Sequence, residues 1–241
     1  MICDADDYVN TDSFRRLVDY LKEHDVDIVL TDARRITPDG RYAGHESVSG
    51  IDKNRIMKFD DCVGRIKNIE MHNCCIRTEL LRTNNVSCHE HLFYVDNEYV
   101  VYSLAYADTI VYLDMTVYQY LVGRNGQSVS IESRRRNHEQ YMKVVNYLIG
   151  FYEDVSWNLS EPKKRFIARK IAYFITGVYS VMMSYRDAPH RKALEQFDGW
   201  LREKSIDIYN GNNNICVAML RRTNMGMYGM ASIIYKLVNR L

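Results

Sequence analysis

Apolar positions change their period several times along this chain, and each change marks a different kind of element. In "NTDSFRRLVDYLKEHDVD", Phe14, Leu17, Val18 and Leu21 recur at helical spacing. That predicts an amphipathic helix capped by Thr11 or Asp12. "DIVLTDA" follows as a short apolar strand, and "RRITPDGRYAG" places a Pro-Asp-Gly turn between two extended runs, the pattern of a hairpin. Residues 45–68 are polar and show no clear period. "IEMHNCCIRTELLRTNN" reads as a strand running into a short helix, with Thr78 as its cap. A further helix is expected from Asp96 or Asn97, on which Tyr99, Tyr102, Leu104 and Tyr106 alternate with small residues. β-Branched and aromatic residues then dominate "TIVYLDMTVYQYLVG", which predicts a strand.

The texture changes after Ser130. "ESRRRNHEQYMKVVNYLIGFYEDV" and "EPKKRFIARKIAYFITGVYSVMMSYR" are long helical patterns, the second with Pro162 in its first turn, where a missing N–H costs nothing. "HRKALEQFDGWLREK" and the tail supply shorter helices. The expected fold class is therefore α/β over residues 1–130 with an all-helical extension over 131–241, without an internal repeat.

Composition narrows the function classes. Lys+Arg number 32 and Asp+Glu 31, so no overall field favours nucleic acid. Gly and Pro are scarce, at 12 and 3, which argues against long disordered linkers. The six cysteines form no Cys-x-x-Cys pair, which removes the usual zinc spacing. They read as reduced, mostly buried thiols in a cytoplasmic protein. No apolar run is expected to span a bilayer. The tail "ICVAMLRRTNMGMYGMASIIYKLVNRL" either lies on a membrane surface, with Arg221, Arg222, Lys236 and Arg240 near anionic lipid, or packs back on residues 140–185.

The opening "MICDADDYVN" crowds Asp4, Asp6 and Asp7 together behind Met1–Cys3, which read as the tail of a buried strand. Like charges this close need a cation, hydrogen bonds or full solvation. On an extended segment Asp4 and Asp6 would share a face, and hard divalent ions favour such oxygen ligands. The bland alternative is an acidic turn at the start of the following helix. Asp96 reads either as an N-terminal residue of its helix or as a carboxylate on a cleft edge, with Glu98 behind it.

"DADD", "FYVDNEYV" and "YQYLVGRNGQSVS", in that order and with ninety residues between Asp6 and Asp96, resemble the motifs of the family 2 glycosyltransferases. These are bacterial enzymes of the GT-A (nucleotide-diphospho-sugar transferase) type that build cell-surface polysaccharide. The resemblance covers most of residues 1–131. It implies a DxD motif in which Asp6 and Asp4 hold Mn²⁺ or Mg²⁺ at the donor diphosphate, with Asp4 also near the ribose. It implies Asp96 as the general base of an inverting transfer. Arg124, Gln127 and Ser128 would close over the diphosphate from a Gly-containing loop, whose plain reading is a solvated turn. His91 would contact the acceptor or a phosphate. The partners implied are a nucleotide-sugar donor and a glycan or polyprenyl-linked acceptor, at the inner face of the cell membrane. The Gln-x-x-Arg-Trp pattern of processive synthases is absent. Family members carry a nucleotide-binding half ahead of the DxD strand, so the expectation is the C-terminal half of a GT-A domain with impaired activity. The alternative is a non-catalytic remnant or binding module.

Overall fold

A computed structural model of the chain describes residues 1–123, 128 and 130–239. It shows a mixed sheet in the N-terminal part followed by a helical C-terminal region. The strands are β1 (Tyr8–Val9), β2 (Ile28–Ile36), β3 (Tyr42–Glu46), β4 (Met57–Lys58), β5 (Cys74–Ile76) and β6 (Thr109–Leu121). The helices of this part are α1 (Thr11–Glu23), α2 (Phe59–Cys62), α3 (Thr78–Thr83) and α4 (Asp96–Tyr106). The helical region holds α5 (Ile131–Arg136), α6 (His138–Val155), α7 (Glu161–Tyr185), α8 (Ala188–Lys204), α9 (Ile206–Gly211), α10 (Ile215–Arg222) and α11 (Tyr228–Asn239). The chain divides into two compact units, one of residues 1–90, 95–127 and 159–163, the other of 91–94, 128–158 and 164–241.

In the first unit two long strands, β2 and β6, pair in parallel at the centre of the sheet. The outer edge of β2 is shared by β3 and β5, and that of β6 by β1 and β4, all four antiparallel. The Pro-Asp-Gly stretch makes the β2–β3 hairpin, where Gly40 takes φ +80° and the Thr37 N–H donates to the Arg41 carbonyl. α1 lies against the sheet through Leu17, which joins Val26, Val29, Val111, Leu113 and Val117 in a buried cluster. Its cap is Asn10, whose side chain accepts from the Ser13 N–H, in place of the expected Thr11 or Asp12. Phe14 and Leu21, expected on the apolar face, are partly exposed, so Leu17 carries the docking.

β6 is irregular where it passes Asp32. Leu30 pairs with Tyr112, Asp32 with Thr116 and Ala33 with Tyr118, so β6 bulges twice against β2. The chain before β1 is a turn and not the expected strand tail, with Ile2 and Cys3 exposed. Only Cys62 and Cys74 of the thiols are buried, fewer than expected. Burial, chiefly, pushes the Cys62 thiol up to about 11, which keeps it protonated and unreactive.

In the second unit the pattern expected as one helix over residues 132–155 is broken at Asn137 (φ −102°, ψ 24°) into α5 and α6. α7 is long and apolar enough to cross a membrane by length and composition, contrary to the sequence expectation, and 78% of that window is buried inside the protein. Arg221 follows the second of the two expectations for the tail, packing back on the helical region. Its guanidinium lies over the Tyr209 ring at 3.5 Å and donates to Asp198 Oδ1 at 2.8 Å, to the Tyr209 carbonyl at 2.6 Å and to the Tyr179 hydroxyl at 2.8 Å. Its side chain is only 13% exposed, so it is an internal cation.

Candidate functional site: an acidic turn on the sheet

Asp4 to Asp7 form a β-turn closed by the Asp7 N–H donating to the Asp4 carbonyl at 3.0 Å. The turn, and not an extended face, gathers the carboxylates: one oxygen from each of Asp4, Asp6 and Asp7 lies within 4.8 Å of the others. β6 pins this turn from beneath. The Tyr118 hydroxyl donates to Asp7 Oδ2 at 2.7 Å and accepts from the Asp4 N–H at 3.1 Å, while the Leu121 N–H donates to Asp7 Oδ1 at 2.7 Å. Asp7 is thus engaged through both oxygens, and Asp4 and Asp6 stand exposed.

The electrostatics follow from the crowding. Burial first, and then the nearby Asp7 carboxylate, raise the Asp4 pKa, with the charge of His72 opposing. Burial likewise pushes the Tyr118 hydroxyl up, with Asp7 adding to the shift, so it stays a donor. His72, in a 3₁₀ turn (Met71–Asn73), stacks on Tyr120 at 5.2 Å between ring centres and holds Glu46 at 2.5 Å. Arg35 Nε reaches the other Glu46 oxygen at 2.8 Å. The His72 hydrogen bond is the main reason the Glu46 carboxyl sits below its ordinary range. Strand register explains the grouping. Ala33, Arg35 and Glu46 match Tyr118 and Tyr120 on one face of the sheet, because alternate residues share a face.

Asp96 opens α4, with Val95 as the boundary residue and no side-chain cap. Its carboxylate is half-buried and accepts from Asn97 Nδ2 at 3.2 Å. Two carboxylates in the first turn of a helix are favoured by the positive end of its dipole. The second, Glu98, is fully buried and accepts from the His89 N–H at 2.9 Å, with the His89 ring nitrogen at 3.1 Å. Cys88 beside them is pushed up to about 11, by burial and then by Glu98 and Asp96. Asp96 belongs to the same compact unit as the acidic turn.

His91 is exposed and takes φ +58°, and Tyr94 takes φ +71°, two left-handed residues in one short loop. The Tyr94 hydroxyl donates to the Ser128 carbonyl at 2.9 Å. Arg124 and Gln127 lie outside the described residues. The structure therefore brings Asp4 and Asp6 together with Asp7. It also adds neighbours that sequence reading missed: Tyr118 and the group of Arg35, Glu46 and His72. No local signal ties these to the acidic run, since they are joined through strand register. In comparisons with protein-family models and with curated proteins, nothing matches the chain.

Proposed function

We propose that this chain carries the metal-side and acceptor-side residues of an inverting glycosyltransferase of the GT-A type. The reaction would move a sugar from a nucleotide-sugar donor to a cell-surface polysaccharide or lipid-linked acceptor. The observation that carries the reading is the acidic turn, whose three carboxylate oxygens lie within 4.8 Å and whose shape is fixed by Tyr118. The order of the three motifs described above supports it.

The donor set fits a hard divalent ion. Asp4 and Asp6 are exposed residues whose carboxylates, with that of Asp7, offer oxygen ligands of the kind such ions favour. Asp4 and Asp6 would hold Mn²⁺ or Mg²⁺, with Asp7 keeping the turn in place. When bound, the ion supplies charge neutralisation for the departing diphosphate. Asp96 would accept the proton of the acceptor hydroxyl as its oxygen bonds to the anomeric carbon and the bond from that carbon to the diphosphate oxygen breaks. A single displacement inverts that carbon. The motif resemblance, and not the geometry, is what assigns Arg124, Gln127 and Ser128 to the diphosphate and His91 to the acceptor. Membrane contact through the C-terminal helices belongs to the same proposal.

The first test is Mn²⁺ alone, titrated into the full chain by calorimetry. One saturable site is expected, weakened at least about tenfold by Asp6→Asn, since one anionic ligand is lost. Equal affinity in the variant, or no saturable binding, removes the metal reading. The second test follows sugar transfer to a lipid-linked acceptor. Asp96→Asn should lower kcat by about 10²- to 10⁴-fold with Mn²⁺ affinity unchanged. A near-normal rate would exclude Asp96 as the base.

A further inference from the structure

The face of the sheet opposite the acidic turn carries a second polar surface. Strand alternation places Asp32, Arg34 and His45, with Gln119 of β6, on that face. A cleft of about 410 Å³ opens there beside the β6 bulge, and Arg16, Arg34, His45, Ser13 and Thr116 contribute to its lining. No carboxylate lines it, although the chain as a whole is nearly neutral at +1.

Its arginines differ from their sequence neighbours. Arg15 pairs with Asp12 at 3.4 Å and Arg35 with Glu46 at 2.8 Å. Arg16 and Arg34, one residue along in each case, make no ion pair among the described residues. Arg34 instead lies over the Tyr42 ring at 5.0 Å, a contact with the ring face that uses none of its N–H donors. His45 is oriented from behind. Its Nε2 is 3.0 Å from Asp32 Oδ2, and Asp32, with a side chain 7% exposed, takes the Tyr112 hydroxyl on its other oxygen. Nε2 therefore carries a proton, and Nδ1 is the nitrogen left for the cleft, an acceptor when the ring is neutral and a donor when it is charged.

We propose that this cleft binds a phosphate-bearing small molecule, with Arg16, Arg34 and His45 as its three anion contacts. Guanidinium forks match phosphate oxygens in pairs, and the imidazole meets a third oxygen in either protonation state of the phosphate. The Ser13 and Thr116 hydroxyls add neutral donors. The volume suits a small ligand. This site is separate from the acidic turn and does not rest on the glycosyltransferase reading.

The test titrates the full chain with inorganic phosphate and, separately, glycerol phosphate, at constant ionic strength. Calorimetry measures affinity and nuclear magnetic resonance follows the His45 ring. One saturable site is expected, with the His45 signals moving along the same curve. Arg16→Gln and Arg34→Gln, both on exposed side chains, should each weaken binding about tenfold, the loss of one charge-assisted contact. Arg15→Gln and Asp6→Asn should leave it unchanged. Absence of saturable binding, unmoved His45 signals, or arginine variants that bind as tightly as the parent would overturn the proposal. Loss of binding in Arg15→Gln to the same degree would overturn it too, as that shows general surface charge.

Discussion

Tyr118 does two jobs at once: its ring is buried in the sheet and its hydroxyl ties down both ends of the acidic turn. An aromatic residue with a polar tip can fill a core position and still reach a site. Glu46 is a second residue whose role is set by neighbours, His72 and Arg35. Its carboxyl pKa is lowered in the folded protein, chiefly by the His72 hydrogen bond. A lowered folded pKa means the stabilisation is fully present above the unfolded value, 4.5, and is lost as pH falls through the lower folded one. Glu46→Gln should therefore cost about 1–2 kcal/mol near neutral pH and flatten the acid limb of the stability curve. Urea denaturation from pH 3 to 7 measures this, and an unchanged acid limb would show that the pair contributes nothing.

At the scale of elements, particular residues explain some of the boundaries and crossings. Asn10 caps α1 because its backbone is extended (φ −69°, ψ 117°) while its side chain reaches the Ser13 N–H. Asn137 separates α5 from α6 although the helical sequence pattern runs through it. Gly50 takes φ +90° in a spot where a Cβ would fall 1.9 Å from the Arg65 carbonyl oxygen, so only glycine lets the polar segment cross there. α1 depends on one fully buried side chain, Leu17, with Val18 and Tyr20 only half-buried. Leu17→Ala should destabilise the fold by about 2–5 kcal/mol, read as a shift in the denaturation midpoint at constant slope. A loss under about 1 kcal/mol would mean that α1 is not docked as described.

For the molecule as a whole, the centre of the first unit is a parallel pairing between strands separated by three α-helices and three strands in sequence. Such long-range closure costs chain entropy before it returns any burial, so the sheet is expected to form slowly compared with the helices. The second unit uses a buried polar group, Tyr179, Asp198 and Arg221, to fix how α7, α8 and α10 meet. Burial is the main cause that pushes the Tyr179 hydroxyl up, and it remains a donor to Asp198. On α11, Met230, Ile233, Ile234 and Leu237 are exposed at helical spacing. The membrane part of the proposed function predicts that the chain floats with anionic phosphatidylglycerol vesicles. Ile233→Glu with Leu237→Glu should abolish that flotation while leaving the circular dichroism unchanged. Flotation equal in the variant, or none in the parent, would remove the membrane contact.

The sequence by itself determined the order and kind of the main elements. The helix of Leu17, the Pro-Asp-Gly hairpin, the helix opening at Asp96, the strand over Thr109–Leu121 and the helical region after Ser130 all follow from periods and turn residues within a few positions of one another. Those signals are local, so they survive without knowledge of the fold. Tertiary structure decided what is paired across distance. It alone set the turn that gathers Asp4, Asp6 and Asp7, the Arg35–Glu46–His72 group beside it, and the Asp32–His45 pair on the far face. Each of these depends on strand register, where a shift of one residue exchanges the two faces of the sheet. Register is fixed by the packed core and by the bulges in β6, neither of which any short stretch of this chain encodes.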